Sequence, residues 1–161
     1  MFAMALVGGV VGTIVLTSSL RAAQELGVTR MDLPLLLGTI FTGDRGRAAL
    51  YGYGLHFFNG LVFTGLYALA FWATGTAGWV FGAALGLVHA LIAGTALIYI
   101  LLPVVNPRMG TAWTDAEEAP LLEPPGFMLV NYGTHTALAT LVAHVAYGAI
   151  IGGFAAHFAW S

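Results

Sequence analysis

Charged side chains fall in only two stretches of this chain, residues 21–47 and 108–123, and the windows 1–20, 48–107 and 124–161 carry no Asp, Glu, Lys or Arg. A helix needs about 20 consecutive apolar residues to cross the hydrocarbon core of a bilayer. The first window accommodates one such helix, over 2–20. The second accommodates two, over 50–72 and 79–102, divided by the turn-forming run Ala73-Thr74-Gly75-Thr76-Ala77-Gly78. The last predicts a fourth, over 136–160. The pattern therefore predicts an all-α membrane protein, residues 1–161 forming a single transmembrane domain of four helices. Residues 1–20 could alternatively be a secretory signal. Against this, no basic residue precedes the apolar run, and Thr17-Ser18-Ser19 before Leu20-Arg21 makes a poor cleavage site.

Four crossings put both charged segments on one side of the membrane and both termini, with the 74–78 turn, on the other. Trp72, Trp79 and Trp160 then sit at the uncharged face, and Tyr51, Tyr53 and Tyr132 near the charged face, as interfacial belts would. Five arginines against none predict cytoplasmic charged loops with both termini on the opposite side.

Composition narrows the class further. The 161 residues are 59% hydrophobic and 7% charged, with a mean hydropathy of +0.89. Soluble domains carry about 25% charged residues, so a water-soluble fold, a disordered chain and a nucleic-acid binder relying on a basic patch are all excluded. The partner this implies is the lipid bilayer. The absence of cysteine excludes disulfides, zinc-thiolate sites, iron–sulfur clusters and thiol catalysis. The absence of lysine excludes Schiff-base chemistry.

The two halves resemble each other, each reading helix, charged loop, helix. Gly12-Thr13 matches Gly94-Thr95, Asp32-Leu33-Pro34-Leu35-Leu36 matches Glu118-Ala119-Pro120-Leu121-Leu122, and His56, Gly60 and Gly65 match His144, Gly148 and Gly153. An internal repeat of two pseudo-equivalent hairpins is expected, related as parallel repeats about an axis along the membrane normal. Within the loops, Asp32 with Pro34 in the following turn predicts the N-terminus of a short interfacial or re-entrant helix. Residues 114–118 could start another.

Glycine spacing supplies the packing signal. Gly8 and Gly12, Gly82, Gly86 and Gly94, and Gly148 and Gly152 form small-residue ridges of the GxxxG kind. Lipid gives helices no hydrophobic reason to associate, so close backbone approach must substitute. These ridges are expected to hold the four-helix bundle together, or to face a second copy or a larger membrane complex.

Five histidines are the candidate chemistry: His56, His89, His135, His144 and His157. Intramembrane polar residues are functional hypotheses by default. His56 and His144 fall at matching positions of the repeat and are expected at one depth. Two imidazoles across a bundle suit haem iron or a transition metal, with Asn59 and Tyr147 as supporting partners. An intramembrane histidine equally serves to hydrogen-bond a backbone carbonyl and lock the bundle. His89 is expected deeper, near the midplane and out of reach of the pair, and His135 and His157 at the interfaces. No span contains a carboxylate, which excludes a di-iron carboxylate site.

Taken in order, Gly12-Thr13, Met31-Asp32-Leu33-Pro34 with Leu37-Gly38, His56-Phe57, Asn106-Pro107-Arg108-Met109-Gly110 and His144-Val145-Ala146-Tyr147-Gly148 resemble an uncharacterised bacterial family of small four-helix integral membrane proteins, known as a domain of unknown function. The resemblance implies a bacterial inner-membrane location and supplies no activity or cofactor. The expectation is a non-enzymatic accessory or scaffold subunit packing through its glycine-rich faces. The alternatives are a haem- or metal-binding redox module using His56 and His144, and an oligomeric small transporter or channel with His89 on its path.

Overall fold

The structure is a computed structural model, and residues 1–110 and 122–157 are described. Four helices are long and apolar enough to cross a bilayer: α1 (Phe2–Glu25), α3 (Arg45–Thr74), the continuous stretch Trp79–Val105, and α6 (Thr136–His157). That third stretch comprises α4 (Trp79–Ile92), a π-helical segment (Ala93–Leu101) and one final turn, α5 (Leu102–Val105). A short α2 (Leu33–Gly38) lies in the first charged loop.

The ends of the helices follow local chemistry rather than the edges of the charge-free windows. Helix α1 runs past residue 20, and Arg21 pairs with Glu25 one turn on at 2.8 Å. Helix α3 begins at Arg45, five residues earlier than expected, because the Asp44 carboxylate accepts from the Arg47 amide at 2.8 Å and caps it. Asp32 caps α2 in the same way, accepting from the Leu35 amide at 3.1 Å, with Pro34 in the first turn. Pro103 has no amide hydrogen, and its ring would clash with a carbonyl one α-turn back. The wider π coil immediately ahead of it relieves that crowding.

Packing rests on glycines meeting backbone. Gly78, Gly82 and Gly86 face Gly152, Gly148 and His144, so α4 runs antiparallel to α6 with main chain against main chain at three levels. On its other side α6 meets α1, where Tyr147 lies over Gly12 and Ile151 and Phe154 lie over Gly8. Helices α1 and α3 cross by a reciprocal fit that the glycine pattern alone did not announce. Thr64 sits on Gly9, Thr13 sits on Gly60, and each hydroxyl donates to the carbonyl four residues back, at 2.7 Å for Thr13 and 2.8 Å for Thr64. Around the bundle the order is α3, α1, α6, α4. Helices α3 and α4, although joined by a short turn, share no comparable backbone approach.

Outward faces are apolar. Leu66, Val88, Ile100 and Val142 are all more than half exposed, the surface expected of helices solvated by lipid. Trp72 and Trp79 are also exposed, at the turn end of the bundle. Tyr132, expected in an interfacial belt, is instead buried, and its hydroxyl donates to the Glu123 carbonyl at 2.6 Å. Burial and the Glu123 carboxylate both raise its pKa, so the phenol keeps its proton and this bond. The expected helix start at 114–118, the Glu118–Leu121 part of the repeat match and the belt residue Trp160 lie outside the described residues.

Because a Cβ on Gly148 would overlap the Gly82 carbonyl, Gly148→Ala is expected to force α4 and α6 apart, at a cost on the order of 1–3 kcal/mol. Gly65 and Gly153 face open space, and alanine there should be neutral or stabilise by up to about 1 kcal/mol. Thermal unfolding of the three variants in detergent, followed by helical circular dichroism, checks the contrast.

Candidate functional site

The glycine contacts fix a register across the four helices. Gly86 is level with His144, Tyr147 with Gly12, and Thr13 with Gly60. Counting along antiparallel partners from these levels places His56, His89 and His144 within about three residues of one another in depth, roughly 4–5 Å. The expected separation of His89 from the other two does not hold. His56 starts eleven residues into α3 rather than six residues into a span, because α3 begins at Arg45. His89 rides on a helix whose charged-face end is lengthened by the π segment and α5.

All three histidines line one cavity of about 310 Å³. Its walls are Thr13, Leu16 and Leu20 from α1, Leu55, Asn59 and Phe63 from α3, Ala93, Leu97 and Leu101 from the π segment, and Thr140 and Tyr147 from α6. Among the described residues, none that lines it is charged. His89 forms the floor: its ring stacks on Phe63 with centroids 3.7 Å apart, and Tyr67 Oη lies 3.4 Å from its Nδ1. The His144 ring stands edge-on to His89 at 4.7 Å.

Hydrogen bonds sort the polar groups into committed and free. His144 Nδ1 lies 2.8 Å from the Thr140 carbonyl. A carbonyl only accepts, so Nδ1 carries the hydrogen, and Nε2 of the neutral ring keeps its lone pair. The Tyr147 hydroxyl donates to the Gly60 carbonyl and lies 3.0 Å from the Thr64 hydroxyl. Its polar atom is thus engaged in tying α6 to α3 and not in supporting His144. Among the described residues, two buried side-chain atoms lack any partner: His56 Nε2 and the Thr140 hydroxyl oxygen. Both residues line the cavity. An orphaned buried polar group costs roughly 1–3 kcal/mol, so the pair marks where a bound molecule would be stabilised most.

The charged-face end is closed by interlocked loops. Asn106, 2% exposed, donates from its amide to the Leu36 carbonyl at 3.1 Å and the Thr39 hydroxyl at 2.9 Å, and it accepts from the Arg108 amide at 3.0 Å. Arg108 Nη1 donates to the Thr39 carbonyl at 2.8 Å. The Arg30 amide donates to the Tyr132 carbonyl at 2.7 Å, and Arg30 pairs with Glu123 at 3.2 Å. Met128 and Leu129 adopt consecutive left-handed conformations, φ 50° and 66°, at a cost on the order of 1–3 kcal/mol each. That turn buries Leu129 over the cavity and Met128 against Gly94. Asn131 holds it, through its backbone amide to the Pro125 carbonyl and its side chain to the Pro124 carbonyl.

Of the residues singled out from sequence, His56, His89, His144, Asn59 and Tyr147 all face this cavity, whereas Gly8, Gly12, Gly82, Gly86, Gly148 and Gly152 are turned inward between helices. His135 and His157 do not line it. Thr140 was not anticipated, although its place one helical turn before His144 was a readable signal. Among the described residues, no group of three His, Cys, Asp or Glu side chains is arranged to hold a metal ion. No protein-family model, curated protein or solved structure matches the chain.

Thr140→Val removes a hydroxyl with no partner at nearly constant volume, so ligand-free stability should be unchanged or higher by up to about 1–3 kcal/mol. Tyr147→Phe removes a satisfied bond between α6 and α3 and should lower it by about 0.5–1.5 kcal/mol. The two midpoints, measured side by side in detergent, should move in opposite directions or only the second should move.

Proposed function

We propose that this protein is a small multi-pass membrane protein that holds a neutral small molecule in its histidine-lined cavity and performs no chemistry on it. The carrying observation is the pair of orphaned polar atoms, His56 Nε2 and Thr140 Oγ1, in an uncharged cavity of about 310 Å³. That volume reaches the lower range of small-molecule sites, which are mostly apolar with a few placed polar groups. The non-enzymatic part of the reading follows from the side chains at hand. Among the described residues no carboxylate, thiol or amine faces the cavity, and the hydroxyls of Thr13, Thr64 and Tyr147 are engaged in bonds to backbone.

The glycine faces that would give a partner a close-packed surface are spent between this chain's own helices. This favours a ligand-holding module over a scaffold docking through those faces. In a duplicated pair of hairpins, the α1–α6 and α4–α3 seams would be equivalent; here the first is closed by glycines and the second is spread around the cavity. With five arginines on the closed face, that face is read as cytoplasmic in a bacterial inner membrane, in keeping with the small bacterial family whose motifs the chain resembles.

A second reading, imidazole ligation of a transition metal or haem iron, is favoured by the Thr140 carbonyl bond to His144 Nδ1, which presents Nε2 as a ligand would be presented. One preparation separates the two. Protein purified in mild detergent is examined by optical spectroscopy, elemental analysis and mass spectrometry of a solvent extract. The proposal expects a stoichiometric organic molecule that is lost in Thr140→Val, with no Soret band and no stoichiometric metal. A Soret band or bound metal that disappears in His56→Ala and His144→Ala would replace it with the second reading. An extract with no molecule in stoichiometric amount, from protein that also fails to bind any added neutral compound, would overturn it.

A further inference from the structure

The cavity's polar atoms and its way out lie in different directions, and together they define the class of molecule that fits. Towards the charged face, described residues lie over the cavity. Helix α2, Ile40 and Leu129 cover the cavity, and Asn106, Arg108 and Arg30 tie the covering segments together. A second recess touches the far side of His56, beside Arg21, Gln24 and Tyr53, and measures about 10 Å³, room for about one water. At the level of His144 and Tyr147 and on the turn side of it, backbone contacts at glycine close α4–α6, α6–α1 and α1–α3. On the charged side of that level, the 127–132 turn fills between the π segment and α6 with Met128 on Gly94, Thr29 bonds Thr136 at 2.7 Å between the ends of α1 and α6, and α2 packs on α3 over Gly52.

The α3–α4 seam is different. Its two helices meet at the turn and through the Phe63–His89 stack, and between that stack and α2 they make no comparable approach. The seam is flanked by Leu55, Leu97, Leu101 and Val105, of which Leu101 and Val105 are nearly half exposed. These are apolar side chains on the outer surface, so an opening between them would face hydrocarbon.

Resting on the reading above, we propose that the ligand is a single-tailed lipid with a neutral, oxygen-bearing head, which enters sideways between α3 and α4, seats its head against His56 and Thr140, and leaves its tail in the seam. A head oxygen accepts from the Thr140 hydroxyl. A hydroxyl or ring carbonyl completes His56 Nε2, whose ring supplies either a hydrogen or a lone pair according to its tautomer. A charged head is disfavoured, because no Arg, Lys, Asp or Glu among the described residues faces the cavity to pair with it and an unpaired charge at this depth is costly. Phospholipids are thereby rejected. A ring-carbonyl head, as in a quinone, and a simple alcohol head share the required chemistry.

The test uses the whole chain in phosphatidylcholine nanodiscs. Equilibrium binding is measured for a decyl-chain benzoquinone, a long-chain alcohol, tail-less benzoquinone and phosphatidylglycerol. The decyl quinone or the alcohol, or both, should bind saturably, and which of them does so identifies the head. Tail-less benzoquinone should bind at least tenfold more weakly and phosphatidylglycerol not at all. Thr140→Val should weaken the tailed ligand about tenfold, the loss of one buried hydrogen bond. Leu101→Trp, on the exposed side of the seam where it leaves the packed helices untouched, should slow association severalfold.

Equal binding of tail-less and tailed quinone would overturn the lateral lipid assignment while leaving a ligand-holding cavity intact. Binding of phosphatidylglycerol would overturn the neutral-head assignment. Tailed ligands that bind Thr140→Val and Leu101→Trp like the parent would overturn the placement. Absence of binding by all four probes would count against this proposal and the broader one together.

Discussion

Helices in a bilayer gain little from burying apolar side chains against one another, since lipid tails solvate those side chains equally well. What holds this bundle is therefore the approach of backbone to backbone, and α6 carries most of it. One face of α6 meets α4 through Gly148 and Gly152, and another receives Gly8 and Gly12 of α1. Only glycine allows that spacing, because a Cβ at Gly82 or Gly148 would occupy the place of the opposing carbonyl. Helix α3 is attached more lightly, through the Thr13–Gly60 and Thr64–Gly9 fits to α1 and the Tyr147 hydroxyl bond. The site follows from this asymmetry. Close seams on the turn side fix the register that brings His56, His89 and His144 to one level, and the looser charged-side half, where the π segment approaches neither α3 nor α6 closely, leaves the space they line.

The same economy explains how polar groups are treated. Thr13, Thr64 and Tyr147 discharge their hydrogen-bonding capacity onto helix backbone, and Asn106 does so onto α2. In a medium without water each such group would otherwise be a liability. Against that background, His56 Nε2 and the Thr140 hydroxyl are exceptions that packing does not require. Valine would fill the place of Thr140 with no unmet hydrogen bond, and an apolar ring could fill that of His56. The consecutive left-handed residues Met128 and Leu129 are a second departure, sited where the loop covers the cavity. Departures from locally favourable structure tend to gather where a protein works, and both lie at one place here.

Much of the architecture was legible in the sequence. Charge-free windows located four helices, and Asp32 with Pro34 located the start of α2. Boundaries moved where a cap or an ion pair outweighed the charge pattern, as at Asp44 and at Arg21–Glu25. The site was legible only in part. His56, His144, Asn59 and Tyr147 were readable as intramembrane polar residues, but depth counted along straight, equal helices set His89 apart. That count could not include the early start of α3 at Arg45 or the π coil before Pro103, and those two features bring the rings together. The open seam had no one-dimensional trace, because it is defined by an approach that α3 and α4 do not make. Thr140 was overlooked although it stands one helical turn before His144; its hydroxyl, unlike those of Thr13 and Thr64, is not bonded to backbone, and that difference has no trace in the sequence.

The central claim is that the histidine cavity opens to lipid between α3 and the π segment and is closed to water at the charged face. The chain has no cysteine, so a single cysteine at Leu97 carries a nitroxide with no competing site. Its relaxation in nanodiscs is then compared under lipid-soluble oxygen and under a water-soluble paramagnetic chelate. The account predicts strong relaxation by oxygen and almost none by the chelate. Relaxation by the chelate comparable to that by oxygen would contradict it, because the cavity would then be an aqueous pocket rather than one served by the membrane.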